Sequence, residues 1–134
     1  MSDRRIIVYS LDQAVAAAEV AASLKKPLTL MSARGMASFM GPLWFKKLLE
    51  LTARDDVATT GVLDCADEAG TAMAALRAGI PCVRFTGDEA TRARLDEMAR
   101  PIGARVEGET PSATLDLVDR RDVVTACRDF LAAD

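Results

Sequence analysis

Short apolar runs alternate with longer helical stretches along the whole chain, and this alternation restricts the possible folds more than any other feature. The clearest unit spans residues 59–79, TTGVLDCADEAGTAMAALRAG. Its apolar run leads into a segment from Asp64 to Glu68, which we call the acidic stretch. A helical stretch of small residues follows and stops at Gly79. A continuous apolar run is typical of a strand buried on both faces of a parallel sheet, and glycine suits a left-handed helix cap. The unit therefore predicts a strand, a polar loop and a helix that packs back on the sheet.

Similar signals predict the other elements. Further strands are expected at residues 5–9, 28–31, 80–85 and 104–107, and residues 113–117 can add a short extended segment. Ser10 and Gln13 have the spacing of a capping box, as have Thr86 and Glu89, so a helix is expected to begin at each pair. Asp119 can cap the final helix.

This alternation predicts a single α/β domain over residues 1–134. We expect a three-layer α/β/α sandwich around a mostly parallel five-stranded sheet, with the flavodoxin-like or Rossmann-like alternation of strands and helices. Right-handed crossovers place helices on both faces of such a sheet. The expected strand order is the flavodoxin-like 2-1-3-4-5.

The charge and hydropathy patterns exclude several kinds of partner. The formal net charge is −3, and the arginines are scattered among acidic residues, so no basic surface for nucleic acid is expected. No apolar run has the length of a membrane span, and the N-terminal residues become polar too early for a signal peptide. We therefore expect a cytoplasmic protein that binds neither nucleic acid nor a membrane.

Few side chains are of the types that carry out catalysis. The chain has three cysteines at unrelated spacings and no histidine. The odd count favours reduced thiols over a disulfide framework or a zinc site. Without histidine, Ser-His-Asp and Cys-His catalysis in their usual forms are excluded. We expect neither a resident metal nor a cofactor.

The candidate catalytic residues are Asp64, Cys65 and Asp67, which follow the strand of the clearest unit. In open α/β sheets, ligands bind beyond the carboxyl ends of the strands, where these residues are expected to lie. The two aspartates can hold a magnesium ion or act as acid and base, and Cys65 lies near a helix N-terminus that favours a thiolate. The neighbouring carboxylates oppose that effect. Alternatively, Asp67 and Asp88 cap the helices that follow them.

The candidate ligand-binding residues are Arg34, Arg84, Thr86 and Asp88. Arg84 interrupts an otherwise apolar strand, and a buried charge there needs a carboxylate of the acidic stretch or an anionic ligand as its partner. The alternative is an edge strand from which the guanidinium reaches water. Arg34 is a second candidate for an anion contact, in the loop after the second strand. Thr86 and Asp88 follow the fourth strand at the same edge of the sheet.

The candidate interface residues are Met36, Phe39, Met40, Trp44 and Leu51. The first three share one face of a helical turn, and a longer helix is predicted to begin with Pro42 at its first turn. The apolar arc of that helix is wider than packing on a sheet needs. The arc belongs either to a thick core helix or to a subunit interface or lid.

The stretch from Gly61 to Val106 resembles response-regulator receiver domains. The strand VLD ends at Asp64, at the place of the receiver phosphoacceptor, and Thr86 stands at the place of the receiver switch threonine. The resemblance implies the receiver scaffold. The sequence departs from the family at Tyr9-Ser10, where receivers carry an acidic metal-binding pair, and at Glu107, where no lysine follows the fifth strand. These departures imply that the chain does not accept phosphate in the receiver manner.

The sequence does not specify one function. The leading interpretation is a small non-catalytic protein that acts as a homo-oligomer or by binding a small, anionic ligand. One alternative is a small enzyme with its site at Asp64, Cys65, Asp67 and Arg84. Another is a degenerate receiver-like signalling module.

Overall fold

Residues 4–109 and 112–133 are described by a computed structural model, which is an α/β protein with a parallel sheet. The strands of this part are β1 Arg4–Ile7, β2 Leu28–Met31, β3 Thr59–Asp64, β4 Cys82–Arg84, β5 Arg105–Glu107 and β6 Ala113–Asp116. The helices are α1 Leu11–Leu24, α2 Met36–Met40, α3 Pro42–Thr52, α4 Ala69–Ala78, α5 Glu89–Ala99 and α6 Val123–Ala132, and a 3-10 turn, Arg100–Ile102, continues α5. The predicted α/β class, the parallel sheet and the alternation of strands and helices are confirmed.

The sheet differs from the prediction in strand number and order. It has six strands because residues 113–116 pair with β1, and the order is β5-β4-β3-β2-β1-β6. The expected order 2-1-3-4-5 is therefore wrong, and with it the order implied by the resemblance to receiver domains. Each of the strands β2 to β5 lies beside the strand that precedes it in the sequence.

This order also changes how the helices are layered. Right-handed crossovers that always advance in one direction place their helices on the same face of the sheet. The contacts agree, because α6 packs on α1, α1 on α3, α3 on α4 and α4 on α5. Within the described ranges, one layer of helices follows the order of the strands, in place of the expected helices on both faces.

The first helix begins as its sequence predicts. The Ser10 hydroxyl accepts the backbone N–H of Gln13 at 3.2 Å, and the Gln13 side-chain oxygen accepts the N–H of Tyr9 at 2.8 Å. Gly79 ends α4 in the left-handed conformation, with φ of 92°. Both helix ends could be predicted from the sequence because each depends on residues within a few positions of one another.

Two other helices begin after the first cap residue predicted for them. Helix α5 is capped by Asp88, whose carboxylate accepts the backbone N–H three residues further on at 3.1 Å, so Thr86 and Glu89 form no capping box. Helix α6 follows Asp122 and not Asp119. In both cases the helix begins later than the first suitable side chain.

The main core lies between the sheet and the helical layer. Its largest fully buried side chains include Ile6, Leu30 and Leu63 from the strands and Phe45 from α3. Gly61 lets α3 approach β3 closely, because a Cβ atom there would lie 2.3 Å from the Leu49 side chain.

The face of the sheet on the side away from the helical layer is called the inner face here. Register places Arg5 beside Thr29 and Ile7 beside Met31, so alternate residues of each strand point to this side. A small separate apolar cluster lies on it, formed by Ile7, Met31, Val62 and Cys82. The same face carries the charged side chains of Arg5, Arg84 and Glu107.

The sheet curls around its inner face. Arg5 on β1 donates to both carboxylate oxygens of Glu107 on β5, at 2.6 and 3.0 Å. In a flat sheet, four strand steps would separate β1 and β5 by about 19 Å. Successive strands curled inside a layer of helices are the arrangement of a (β/α) barrel. In the described residues β5 and β6 are not paired with each other, so the barrel stays open between them.

Glu107 also holds Arg84, which completes an ionic cluster of three residues. The Arg84 guanidinium donates to Glu107 Oε2 at 3.2 and 3.1 Å, and all three side chains are at most 14% exposed. Arg84 thus lies on an interior strand and has a carboxylate partner, but that partner comes from β5 and not from the acidic stretch after β3. Burial raises the pKa of Glu107, and the hydrogen bonds and charges of Arg5 and Arg84 outweigh it, so the pKa is lowered from its usual 4.5.

We expect Glu107→Gln to lower the free energy of unfolding by roughly 3 kcal/mol at pH 7, because it removes the one negative charge between two buried guanidinium groups. The lowered pKa fixes the sign of the pH dependence. The ionised carboxylate stabilises the fold fully above pH 4.5, and this contribution is lost as the pH falls through the lower folded-state value.

Urea denaturation at pH 7 and below pH 4 tests this expectation. The difference between the wild type and Glu107→Gln should shrink in acid, and the exposed Glu109→Gln should change stability by less than about 0.5 kcal/mol. An equal effect of the two substitutions at pH 7 would contradict the role of the ionic cluster.

Candidate functional site

The C-terminal ends of the parallel strands meet at one edge of the curled sheet, which we call the mouth. We define it by Arg34 after β2, Asp64 to Asp67 at the end of β3, and Thr86 and Asp88 after β4. Ligands bind at this edge in both open α/β sheets and (β/α) barrels. The fold therefore brings most of the sequence-predicted catalytic and ligand-binding residues to one edge of the sheet.

Asp64 is the buried carboxylate of the mouth. It is 5% exposed, and its Oδ1 accepts the backbone N–H of Ala66 at 2.9 Å. Its own N–H donates to the hydroxyl of the fully buried Ser32 at 2.9 Å. Ala66 has a positive φ of 52° in the turn that follows β3. Asp64 is thus oriented by its own loop and by the end of β2.

Cys65 lies beside Asp64 but is enclosed in the core. Its thiol sulfur is 3.8 Å from the carbonyl oxygen of Leu63. Burial, together with the charges of Asp64 and Glu68, raises the pKa of Cys65 to about 12. At neutral pH the thiol is therefore protonated, which disfavours the nucleophilic role that the sequence allowed.

The two remaining aspartates differ in what they bind. Asp88 caps α5, and its hydrogen bonds to the side chain and backbone of Thr91 lower its pKa. Asp67 is exposed and caps no helix, because Glu68 occupies the N-cap position of α4. The capping alternative is therefore correct for Asp88 and wrong for Asp67. No group of three or more Cys, Asp or Glu residues within 4–109 and 112–133 is arranged to hold a metal ion.

Arg34 and Thr86 connect two loops across the mouth. The exposed Arg34 guanidinium donates to the Thr86 hydroxyl at 3.3 Å, and the Thr86 N–H donates to the carbonyl oxygen of Ala66 at 2.8 Å. Loops that follow β2, β3 and β4 therefore meet at these residues. Arg84 lies deeper, on β4 itself, and is bound to Glu107.

The predicted interface residues do not form one surface. Phe39 is 85% exposed and Met40 is also exposed, and they lie close in sequence to Leu43, which is 69% exposed and was missed by the sequence analysis. We call these three residues the apolar patch. Trp44 packs partly buried against the core, and Met36 is half-buried. Leu51 is exposed, but it lies about 12 Å from Leu43 along α3. None of the helices in the described ranges has both the length and the hydropathy to cross a bilayer.

Sequence reasoning also missed Arg5 and Glu107. Arg5 is the first residue of the first predicted strand. A charged residue in a strand was a signal that one face of the sheet carries polar contacts. Glu107 was noticed only as a position that lacks a lysine. The pairing of these residues, 102 positions apart, has no local signal.

Comparison with known proteins gives structural likeness without sequence likeness. No protein-family model and no curated protein sequence matches the chain. Among solved structures, it is similar to a provisionally assigned fructose-1,6-biphosphate aldolase from Coccidioides immitis, with a TM-score of 0.66 and 16% identity over 80% of this chain and 45% of that one. It is also similar to the YdjI aldolase from Escherichia coli K12, with a TM-score of 0.62 and 15% identity over 80% of this chain and 44% of that one.

These likenesses show an α/β fold of the kind found in the two aldolases. The chain spans less than half the length of either. At such identities the resemblance extends to the backbone arrangement and not to a reaction.

The state of the thiols predicts slow chemical labelling. All three cysteines are buried, and burial raises the pKa of Cys65 to about 12 and those of Cys82 and Cys127 to about 11. We expect a disulfide reagent at pH 7.5 to label none of them rapidly in the folded protein and all three in denaturant. Rapid native labelling of Cys65 alone would show an accessible, activated thiol at the mouth.

Proposed function

We propose that the protein binds a small anionic molecule at the mouth. The observation that carries this proposal is the exposed guanidinium of Arg34, held by the Thr86 hydroxyl over the ends of the strands. Arginine presents five N–H donors in a planar fork that matches phosphate and carboxylate groups. One of them contacts Thr86, so the guanidinium can bind an anion without leaving its present position.

The acidic residues beside Arg34 and Thr86 favour an anion that also carries hydroxyl groups. Asp67 is exposed and follows Ala66, whose carbonyl oxygen is bound to Thr86. A carboxylate accepts hydrogen bonds from hydroxyls but repels a negative group placed beside it, so we expect hydroxyls next to Asp67 and a phosphate at Arg34. A phosphorylated polyol or sugar meets both conditions. One structural neighbour is named for a sugar bisphosphate, which supports this class of ligand.

We expect the wild type to bind fructose 1,6-bisphosphate more tightly than inorganic phosphate in isothermal titration calorimetry at low salt. Arg34→Met should weaken this binding by roughly tenfold to a hundredfold, since hydrogen bonds to a charged group contribute roughly 1.5–3 kcal/mol. Thr86→Val should weaken it less. Higher salt should reduce the affinity of the wild type.

Arg128→Met, on the exposed side of α6, is the matched control and should bind like the wild type. Equal affinity of Arg34→Met, Arg128→Met and the wild type would place any anion site elsewhere. No heat of binding with either probe would reject the proposal for these ligands.

A small enzyme acting at the same mouth is the second candidate, favoured by the aldolase neighbours and by the oriented carboxylate of Asp64. The chain offers no histidine, and its four lysines lie in α3 or just after α1, away from the strand ends that form the mouth. Acid–base chemistry would therefore fall to Asp64. Following the titration samples by NMR for turnover of the sugar bisphosphate separates an enzyme from a binding protein.

Self-association through the apolar patch is compatible with either activity. Phe39, Met40 and Leu43 are close in the sequence and expose large apolar side chains, and apolar patches on a surface are typical of sites that bind another protein. A second copy of the chain is the simplest partner, since contact between two identical patches closes a dimer.

Phe39→Asp should therefore convert the assembled protein to monomers in sedimentation velocity, because a carboxylate buried between two patches has no partner. Leu51→Glu, an exposed position at the other end of α3, is the matched control and should leave the assembly intact. A monomeric wild type would remove this proposal, and loss of assembly in Leu51→Glu alone would move the interface to the far end of the helix.

A further inference from the structure

A buried hydroxyl without a hydrogen-bond partner lies at the end of the sheet opposite the mouth. It belongs to Thr59, the first residue of β3. Within the described residues it is the one buried side-chain oxygen or nitrogen that has no hydrogen-bond partner. Buried polar groups are nearly always hydrogen-bonded, because an unsatisfied one loses its hydration without compensation. The hydroxyl is therefore available to a partner that the described residues do not supply.

Thr59 lines a cavity of about 290 Å³ between α3 and the turn that joins α4 to β4. This volume is close to the lower limit of small-molecule sites in proteins. Leu49, Ile80 and Pro81 supply apolar walls, and Lys46 supplies a cation. Concave sites that combine apolar walls with a few polar groups are typical of ligand-binding pockets.

Lys46 is close to the position where the ligand head group would lie. Its ammonium nitrogen is 3.6 Å from the position of a Cβ atom on Gly79, the residue that ends α4. A cation there stabilises the negative end of the helix. An ammonium group has three donors, so it can interact with the helix end and still donate to a ligand.

We propose that this cavity binds a short-chain monocarboxylate, with its carboxylate accepting from Lys46 and the Thr59 hydroxyl and its tail against Leu49, Ile80 and Pro81. One negative charge fits better than two, because Glu50 also lines the cavity and the C-terminal end of α4 is negative. The Thr59 hydroxyl gives up no hydrogen bond when it turns towards such a ligand.

Gly61 sets the size of this cavity. The tip of Leu49 rests against the β3 backbone there, and a Cβ atom on residue 61 would lie within 2.3 Å of it. A larger residue at position 61 would displace Leu49 and change the shape of the wall. The cavity therefore depends on the same close approach of α3 and β3 that forms the core.

The test uses hexanoate as the probe and backbone amide NMR shifts as the measurement. We expect saturable shifts at Thr59, Gly61, Gly79 and Ile80, and weaker or no shifts with hexanol and hexylammonium. Thr59→Val and Lys46→Met should each weaken hexanoate binding at least fivefold. Lys47→Met, at an exposed neighbouring position, is the matched control and should bind hexanoate like the wild type.

Thr59→Val has a second readout that needs no ligand. Because it replaces a hydroxyl without a partner by a methyl group of similar size, we expect its Tm to be higher than that of the wild type. A lower Tm would mean that the hydroxyl already has a partner such as a bound water, and would overturn the proposal. Hexanoate binding that is absent, matched by hexanol, or unchanged in Thr59→Val and Lys46→Met would also overturn it. All these outcomes are independent of anion binding at the mouth.

Discussion

The ionic cluster of Arg5, Glu107 and Arg84 is the interaction on which the shape of this protein depends. It joins β1, β4 and β5 across the inner face, where only a small apolar cluster is available to hold the sheet in its curl. Two guanidinium groups around one carboxylate carry a desolvation cost that hydrogen bonds at 2.6–3.2 Å offset. A charged cluster constrains direction more tightly than apolar contacts do, because its hydrogen bonds hold only in a narrow range of geometry. The curl of the sheet is thus fixed by polar contacts, whereas its stability comes mainly from the apolar core beneath the helices.

The curl has consequences at both ends of the strands. At the C-terminal ends, the loops after β2 and β4 approach each other closely enough for Arg34 to reach Thr86 over the end of β3. At the N-terminal ends, α3 and the turn after α4 leave the cavity lined by Thr59 and Lys46. Because all the crossover helices lie in one layer, the inner face is not covered by helices of the described chain. The two ends of the strands therefore differ in chemistry, with an arginine and acidic residues at one end and a largely apolar cavity at the other.

Local features of the fold could be predicted from the sequence, and long-range ones could not. Strand β2 was predicted with correct bounds because it is a short apolar run that directly follows Pro27, a residue that cannot continue a helix. The cap at Ser10 and the helix end at Gly79 likewise depend on neighbouring residues. Strand order depends instead on contacts such as that between Arg5 and Glu107, which no periodicity encodes. The mouth was predicted in outline, since βα alternation places strand ends together. The burial of Cys65 and the separation of Leu51 from the apolar patch could not be predicted, because both depend on how the elements pack in three dimensions.

The likeness to two aldolases concerns the backbone, whereas the residues at the mouth concern the chemistry of the candidate site. A shared backbone arrangement explains why the ends of the strands meet at one edge, but the chemistry of that edge depends on the side chains placed there. This chain supplies an oriented carboxylate at Asp64, a guanidinium at Arg34 and a protonated thiol at Cys65, with neither an imidazole nor an amine from a strand end. These groups support the proposed binding of an anion with hydroxyl groups. The fold therefore indicates where the candidate site lies, and the side chains at that edge are the basis of the ligand proposed for it.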